Sequence, residues 1–373
     1  MSETQLFVEV QILKTNDDGL EEQVVGPVNN FLHSMFSQVK IRLNDKDVEN
    51  SNSYYHYKAY FENLLSYGSE AKRTFLANEG WLDDTASNFD TSVLTKEGDN
   101  KINQGMVDRR IRFKSINIVE LCGKIHSDIF NINKYLLNNV NLELFKNDKK
   151  IYFMGKDSKD FELSIVSAHL KVRRLTILPS VMLAHAMVLE KTTAKYPIKR
   201  VLVHGYPYEF NSTRFEKSLH VGVMPTRVLV GLVHTENVSG NFEKNLFTFE
   251  QFSVKSIMLK AASASIPYSN ELNFDFDNNR YLEAYNTLFS NIKGSDNSIT
   301  YSDYAGGNTI YAFDSTPDLC NSGYYNIMKN GSLNCSIKLN KGIEKSITII
   351  TYMEFDNIIE IDNKRNIFLD YSL

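Results

Sequence analysis

Apolar and polar residues alternate along most of this chain in short runs, interrupted by a few stretches with helical spacing. From Gln5 to Leu13, Val8, Val10 and Ile12 alternate with Glu9 and Gln11, the period of a strand with one buried face. Val39, Ile41 and Leu43 repeat the pattern against Lys40 and Arg42, and Asn44-Asp45 supplies turn residues. Apolar positions then fall at Tyr57, Tyr60/Phe61 and Leu64/Leu65, one face of a helix with N-cap candidates in Asn50–Ser53 and a terminator in Gly68. Residues 78–106 read as a long polar excursion, a loop length that usually signals function or disorder.

Strand patterns return at Ile111–Lys114, Ile116–Val119, Val140–Leu144, Ile151–Met154 and Leu163–Ile177, and Pro179 closes this part of the chain. Ser180–Lys191, rich in Ala, Leu and Met, predicts a connecting helix. Further strands are expected at Ile198–Val203, Arg227–Leu232, Phe247–Leu259, Leu333–Leu339 and Ile347–Ile361. A helix is expected at Asn279–Ser290, with Asp275 and Asp277 as capping candidates and a Gly/Ser/Asn/Asp loop at 293–308 after it.

The two halves match. FSVKSIMLK from Phe252 parallels FSQVKIRLN from Phe36, and AYNTLFS from Ala284 parallels AYFENLLS from Ala59, at nearly the same long offset. Two copies of one structural unit account for this. Each copy reads as several short strands, a helix inserted between strands and a closing strand pair. The expectation is an all-β protein of two tandem eight-stranded jelly rolls, a double jelly roll with a short helix inserted in each. The boundaries are 1–178 for the N-terminal roll, 179–195 for the helical connector and 196–373 for the C-terminal roll. The first strand begins almost at Met1, so no long arm is expected before it.

Composition adds to this picture. With 373 residues the chain can bury a large core, and its 23 Phe and 20 Tyr favour pleated, half-buried surfaces. The three cysteines, Cys122, Cys320 and Cys335, have no paired spacing, which points to a reducing compartment. No signal peptide and no membrane span are read, so the Asn-x-Ser/Thr matches at Asn211, Asn237, Asn330 and Asn334 are taken as accidental. A net charge of −4 is poor equipment for gripping nucleic acid. The basic strips Arg109-Arg110-x-Arg112-x-Lys114 and Lys171-x-Arg173-Arg174 read as solvated strand faces.

No phosphate loop, dinucleotide fingerprint, nucleophile elbow or zinc-protease motif is present. The eight histidines are dispersed, with no pair two apart on one strand, so no local facial triad can be assembled. His126-Ser127-Asp128 has the residue types of a catalytic triad, but neighbours on a strand point to opposite faces, and His126 reads as structural or surface. His33 and His185 read as hydrogen-bonded core histidines. Asp83-Asp84 and Asp275-x-Asp277 lack the surroundings of a hard-cation loop, and helix capping accounts better for the second pair. No catalytic residue, cofactor or metal is expected.

Several stretches carry a family resemblance: PVNNFLHSMFSQVKIRLNDKDV, YHYKAYFENLLSYGSEAK, GKIHSDIF, YLLNNVNLEL, SVMLAHAMVLEK, KYPIKRV, PTRVLVGLV, YAFDSTPDLC and the closing DYSL. In this order, over nearly the whole chain, they resemble capsid proteins encoded by Polinton/Maverick elements and adintovirus-like genomes. The resemblance implies a double jelly-roll major capsid protein of the adenovirus-hexon lineage. Three such subunits form a pseudo-hexagonal capsomer of an icosahedral shell around double-stranded DNA. Implied partners are two further copies in a homotrimer, neighbouring capsomers, and penton or minor capsid proteins. No specific nucleic-acid binding is implied, and the expected location is the virion, assembled in the host cytoplasm or nucleus. On this reading the 78–106 and 293–308 loops become outward-facing towers or inter-subunit clamps. The alternatives are a minor capsid or penton component, and a non-viral β-sandwich carbohydrate-binding module.

Overall fold

Two strand trios recur, with the same pairing order, in the two halves of the chain. The computed structural model describes residues 4–14, 25–92, 102–113, 118–130, 132, 134–136, 139–155, 158–261, 264–292, 297–316 and 329–372. The first half runs β1 (Gln5–Lys14), β2 (Gly26–Pro27), α1 (Phe31–Ser34), β3 (Phe36–Leu43), β4 (Lys46–Asn50), α2 (Tyr55–Ser66) and α3 (Ser69–Arg73). It continues with α4 (Gln104–Arg112), β5 (Val119–Lys124), β6 (Val140–Lys146), α5 (Lys149–Tyr152), β7 (Phe153–Met154) and β8 (Phe161–Lys171). The connector is α6 (Pro179–Leu189). The second half runs β9 (Ala194–Tyr208), β10 (Arg214–Val223), β11 (Arg227–His234), α7 (Thr235–Val238), β12 (Val254–Ala261), β13 (Ala264–Ile266), β14 (Leu272–Asn273) and α8 (Leu282–Ser290). It ends with α9 (Tyr301–Ala305), β15 (Ile310–Asp314), β16 (Asn330–Leu339), β17 (Ile347–Ile361) and β18 (Ile367–Leu369).

In the first half β5-β1-β8 and β4-β3-β6 form two antiparallel trios; in the second, β15-β11-β17 and β13-β12-β16 repeat them position for position. The second half then widens its sheets, with β9 and β18 on β17, β10 on β16 and β14 on β12. Each described strand pairing lies within 5–171 or within 194–369. Between the inserted helix and the next strand, the first copy spends residues 67–118 and the second only 291–309.

The alternation read from sequence becomes the core. Val8, Val10 and Ile12 of β1, and Val39, Ile41 and Leu43 of β3, are buried, while their polar neighbours are not. β17 is buried along Ile347–Asn357, where Phe61 of α2 meets Tyr352 on one face and His220 of β10 meets Phe355 on the other.

Several local expectations are corrected. Ile111 and Arg112 do not start a strand; they end α4, whose first turn is capped by the Asn103 side chain accepting from the Met106 N–H. A short alternating run loses here to a capped turn pinned by a buried arginine, described below. None of Asn50–Ser53 caps α2, whose N-cap is Tyr54 without a side-chain bond. Gly68 is not a left-handed terminator; its φ of −76° and ψ of 178° are extended, and it is the N-cap of α3. Asp275 caps the short turn at Phe276–Asn278, with α8 beginning later, at Leu282. Residues 172–178 and 247–253 form no strand.

Candidate assembly surfaces

Helix α2 joins the halves. Its sequence is aromatic on more than one face, so tertiary cover has to come from both sides. The Tyr60 ring stacks on Phe247 with centroids 3.9 Å apart and planes at 5°, and Phe61 packs against Phe249 and Tyr352. Tyr57 also reaches Phe247 and donates its hydroxyl to the Leu246 carbonyl at 3.0 Å. The chain terminus completes the join: the Tyr371 hydroxyl donates to the Val48 carbonyl, and Lys46 Nζ to that of Ile367.

Two buried polar networks lie at this seam. Lys58 of α2 donates to Glu49 Oε1 at 2.9 Å and Asp128 Oδ1 at 2.6 Å. Asp128 Oδ2 in turn accepts the Val201 N–H of β9, and the Ser127 hydroxyl donates to Glu49. Burial, joined by the Glu49 charge, pushes the Asp128 carboxyl up to about 7 against the pull of Lys58. Burial opposes the Lys58 charge, but the carboxylates outweigh it and hold its pKa above the ordinary value. Ser127 and Asp128 thus serve packing, while His126 points elsewhere, toward Glu62.

The second network corrects the reading of Arg109 as a solvated strand residue. Arg109 is fully buried, donating to the Pro27 and Leu82 carbonyls and to Asp84 Oδ1. Asp84 also accepts from Asn103 and, from the second half, Asn245. Asp90 accepts from Lys244, from the Asn245 N–H and from the Thr248 hydroxyl. The described part of the 78–106 loop straps onto the second half of its own chain. It meets the 293–308 loop there: the Ser87 N–H donates to the Gly306 carbonyl at 2.6 Å. Gly307 has φ +126°, and a Cβ there would lie 2.8 Å from the Phe89 ring. Residues 93–101 and 293–296 of the two loops fall outside the described residues, as do Lys114 and Cys320. Asp275 pairs with Arg280 and Asn278, and Lys171, Arg173 and Arg174 are exposed.

Two apolar surfaces face outward. On α8 only Ala284, Thr287 and Leu288 are buried, while Leu282 is 66% and Phe289 40% exposed. The connector α6 is apolar almost throughout and buries none of its residues; Leu183 is 65% and Met182 59% exposed. His185, expected in the core, is exposed with it, because nothing among the described residues covers this helix. Together with Leu170, Ile177, Leu142 and Tyr196, α6 borders a groove of about 1400 Å³. An isolated helix of this length is marginal in water, and contiguous exposed apolar surface marks an interaction site.

No protein-family profile matches this chain. A curated Caenorhabditis elegans protein without an assigned function is 26% identical over 365 residues, covering 93% of this chain and 82% of its own length. Among solved structures, a chain of the Sputnik virophage superposes over 99% of this chain and 82% of its own, with a TM-score of 0.59 at 12% identity. A chain of the PBCV-1 virus capsid covers 99% and 89% at TM-score 0.52 and 9% identity. The Faustovirus major capsid protein covers 95% and 84% at TM-score 0.50 and 7% identity. The fold is a double jelly roll. At such identities the double jelly roll is shared as architecture, and its neighbours are capsid proteins of virophages and large DNA viruses. Among the described residues no helix is long and apolar enough to cross a membrane.

Proposed function

We propose that this chain is a structural, non-enzymatic major capsid protein, three copies of which form a pseudo-hexagonal capsomer of an icosahedral double-stranded DNA virus or virus-like transposon of Polinton/Maverick type. One observation carries the trimer. The first-copy helix α2 seats on the second half, while its second-copy counterpart α8 leaves an apolar face open. In a closed ring of three subunits, α8 of each would seat on the first half of the next, giving six similar modules from one C3 interface. The exposed α6 face and its groove supply a second patch for neighbouring copies. Residues 1–178 and 196–373 would be the two rolls and 179–195 the connector between them. Other partners would be adjacent capsomers and penton or minor capsid proteins, in a virion assembled inside the host cell. The acidic balance leaves DNA condensation to another, basic protein.

Light scattering after gel filtration, with negative-stain imaging of the main peak, tests this. The expected result is a mass near three times 42.8 kDa with three-fold projections. A monomer at all concentrations, together with binding on a glycan array, would replace this reading with a β-sandwich carbohydrate-binding module.

A further inference from the structure

Two histidines and a glutamate that are far apart in sequence meet under the seam helix. His33 comes from α1, Glu79 from the short turn at Leu76–Glu79, and His126 from the segment after β5. One donor atom from each lies within 4.8 Å of the others, and all three residues are buried. His33 Nε2 is 3.2 Å from Glu79 Oε2, and the two imidazole centroids are 4.6 Å apart.

The surroundings set the tautomers that a ligand needs. His126 Nδ1–H donates to Glu62 Oε2 at 2.6 Å, which leaves Nε2 with its lone pair. That nitrogen is buried in a side chain only 9% exposed and has no hydrogen-bond partner among the described residues. His33 Nδ1 lies 2.9 Å from the Tyr55 hydroxyl, so it can place its proton there and free Nε2. Metal-binding histidines are held in this way, with the far ring nitrogen donating to a carboxylate or hydroxyl. The Glu79 carboxylate is fixed by Asn63 Nδ2 at 2.9 Å and the Lys124 N–H at 3.3 Å. A Cβ on Gly123 would come within 2.6 Å of Glu79 Oε1, so the glycine makes room for it.

The buried Glu79 carboxylate and the partly covered Glu62 carboxylate thus bracket the two rings, and buried charges are paired or coordinate metals.

We propose that His33, Glu79 and His126 form a buried site for one divalent transition-metal ion, zinc being the species that suits two imidazoles and a carboxylate. An all-oxygen cation such as magnesium or calcium does not suit this donor set. Donors around zinc sit about 3.3 Å apart for bonds of about 2.0–2.1 Å, so the His33–Glu79 pair is already at that spacing and binding draws His126 in by up to about 1.5 Å. Glu62 also accepts from the Tyr352 hydroxyl of β17, so the ion would bind three first-half segments and stiffen the seam to the second half.

The test uses the untagged full-length chain, expressed with zinc and passed through gel filtration. Elemental analysis is expected to find about one zinc per chain. Stripping with a chelator should lower the melting temperature by ~5 °C, restored by zinc but not by magnesium. Cobalt(II) added to the stripped chain should give visible d–d absorption. His126→Gln should lose the zinc and the cobalt spectrum, and His185→Gln, at the exposed histidine, should keep both. Less than ~0.1 zinc per chain with no zinc-dependent melting shift would overturn the proposal. So would a His126→Gln chain that keeps its zinc, or a His185→Gln chain that loses it. If His126→Gln does not fold, the wild-type cobalt spectrum and zinc-dependent melting decide.

Discussion

The two inserted helices are copies that have been put to different uses. α2 and α8 follow equivalent hairpins and share the AY…LLS and AY…LFS patterns, yet α2 buries ten of its twelve residues and α8 three of nine. The difference comes from what each meets. α2 lies between the halves, under Phe247, Phe249 and Tyr352, and even its Lys58 is covered. Among the described residues α8 packs on its own half, with the Tyr281, Tyr301 and Tyr304 rings clustered beside it. Burial of a repeated element is thus decided by neighbours, and the open copy is the face on which we propose that a second subunit seats.

Breaking the buried side should cost most. Lys58→Met leaves Glu49 and Asp128 side by side without their cation, a loss of roughly 3–5 kcal/mol that thermal or urea denaturation would read. Phe61→Ala, which opens a cavity against Phe249 and Tyr352, should cost about 3 kcal/mol in the same assay. Had either variant left stability unchanged, α2 would not be the join between halves.

A pH series sharpens the contrast, because α2 carries a buried histidine and α8 has none. Burial drives the His56 pKa down to about 3 from 6.5. Its folded pKa is depressed, so its contribution is present above about pH 6.5 and is lost progressively as pH falls toward 3. Asp128, raised to about 7, works in the opposite sense, losing its contribution as pH climbs from about 4 to 7. The readout is therefore a difference: between pH 7 and 5 the wild type should lose about 2 kcal/mol relative to His56→Gln. Equal pH slopes in the two proteins would remove His56 as a buried titrating group.

On α8 the expected effect on the subunit is smallest. Leu282→Asp with Phe289→Asp should change subunit stability by no more than about 0.5 kcal/mol, since both side chains face outward. In the proposed trimer the same pair should convert trimers to monomers in light scattering. Intact trimers would move the interface to α6.

Much of this protein could be read from residue order. The alternation of Val8, Val10 and Ile12, or of Val39, Ile41 and Leu43, is a local signal, and the Phe36/Phe252 and Ala59/Ala284 parallels marked the duplication that the matching strand trios display. Arg109 was read wrongly because a basic side chain on a short apolar alternation looks solvated. Its burial depends on Asp84, Pro27 and Leu82, brought to it from elsewhere in the chain. His185 failed in the other direction: an apolar helix reads as core, and the described residues of the folded chain leave it without a cover.

Period and repetition are carried by neighbours in sequence, and so strands, inserted helices and two copies of one unit were determined by the sequence alone. Which copy is buried, which loop straps the halves together, and the meeting of His33, Glu79 and His126 were decided by the tertiary structure. These depend on contacts between residues tens to hundreds of positions apart, where burial and charge pairing act only after the sheets have brought the partners together.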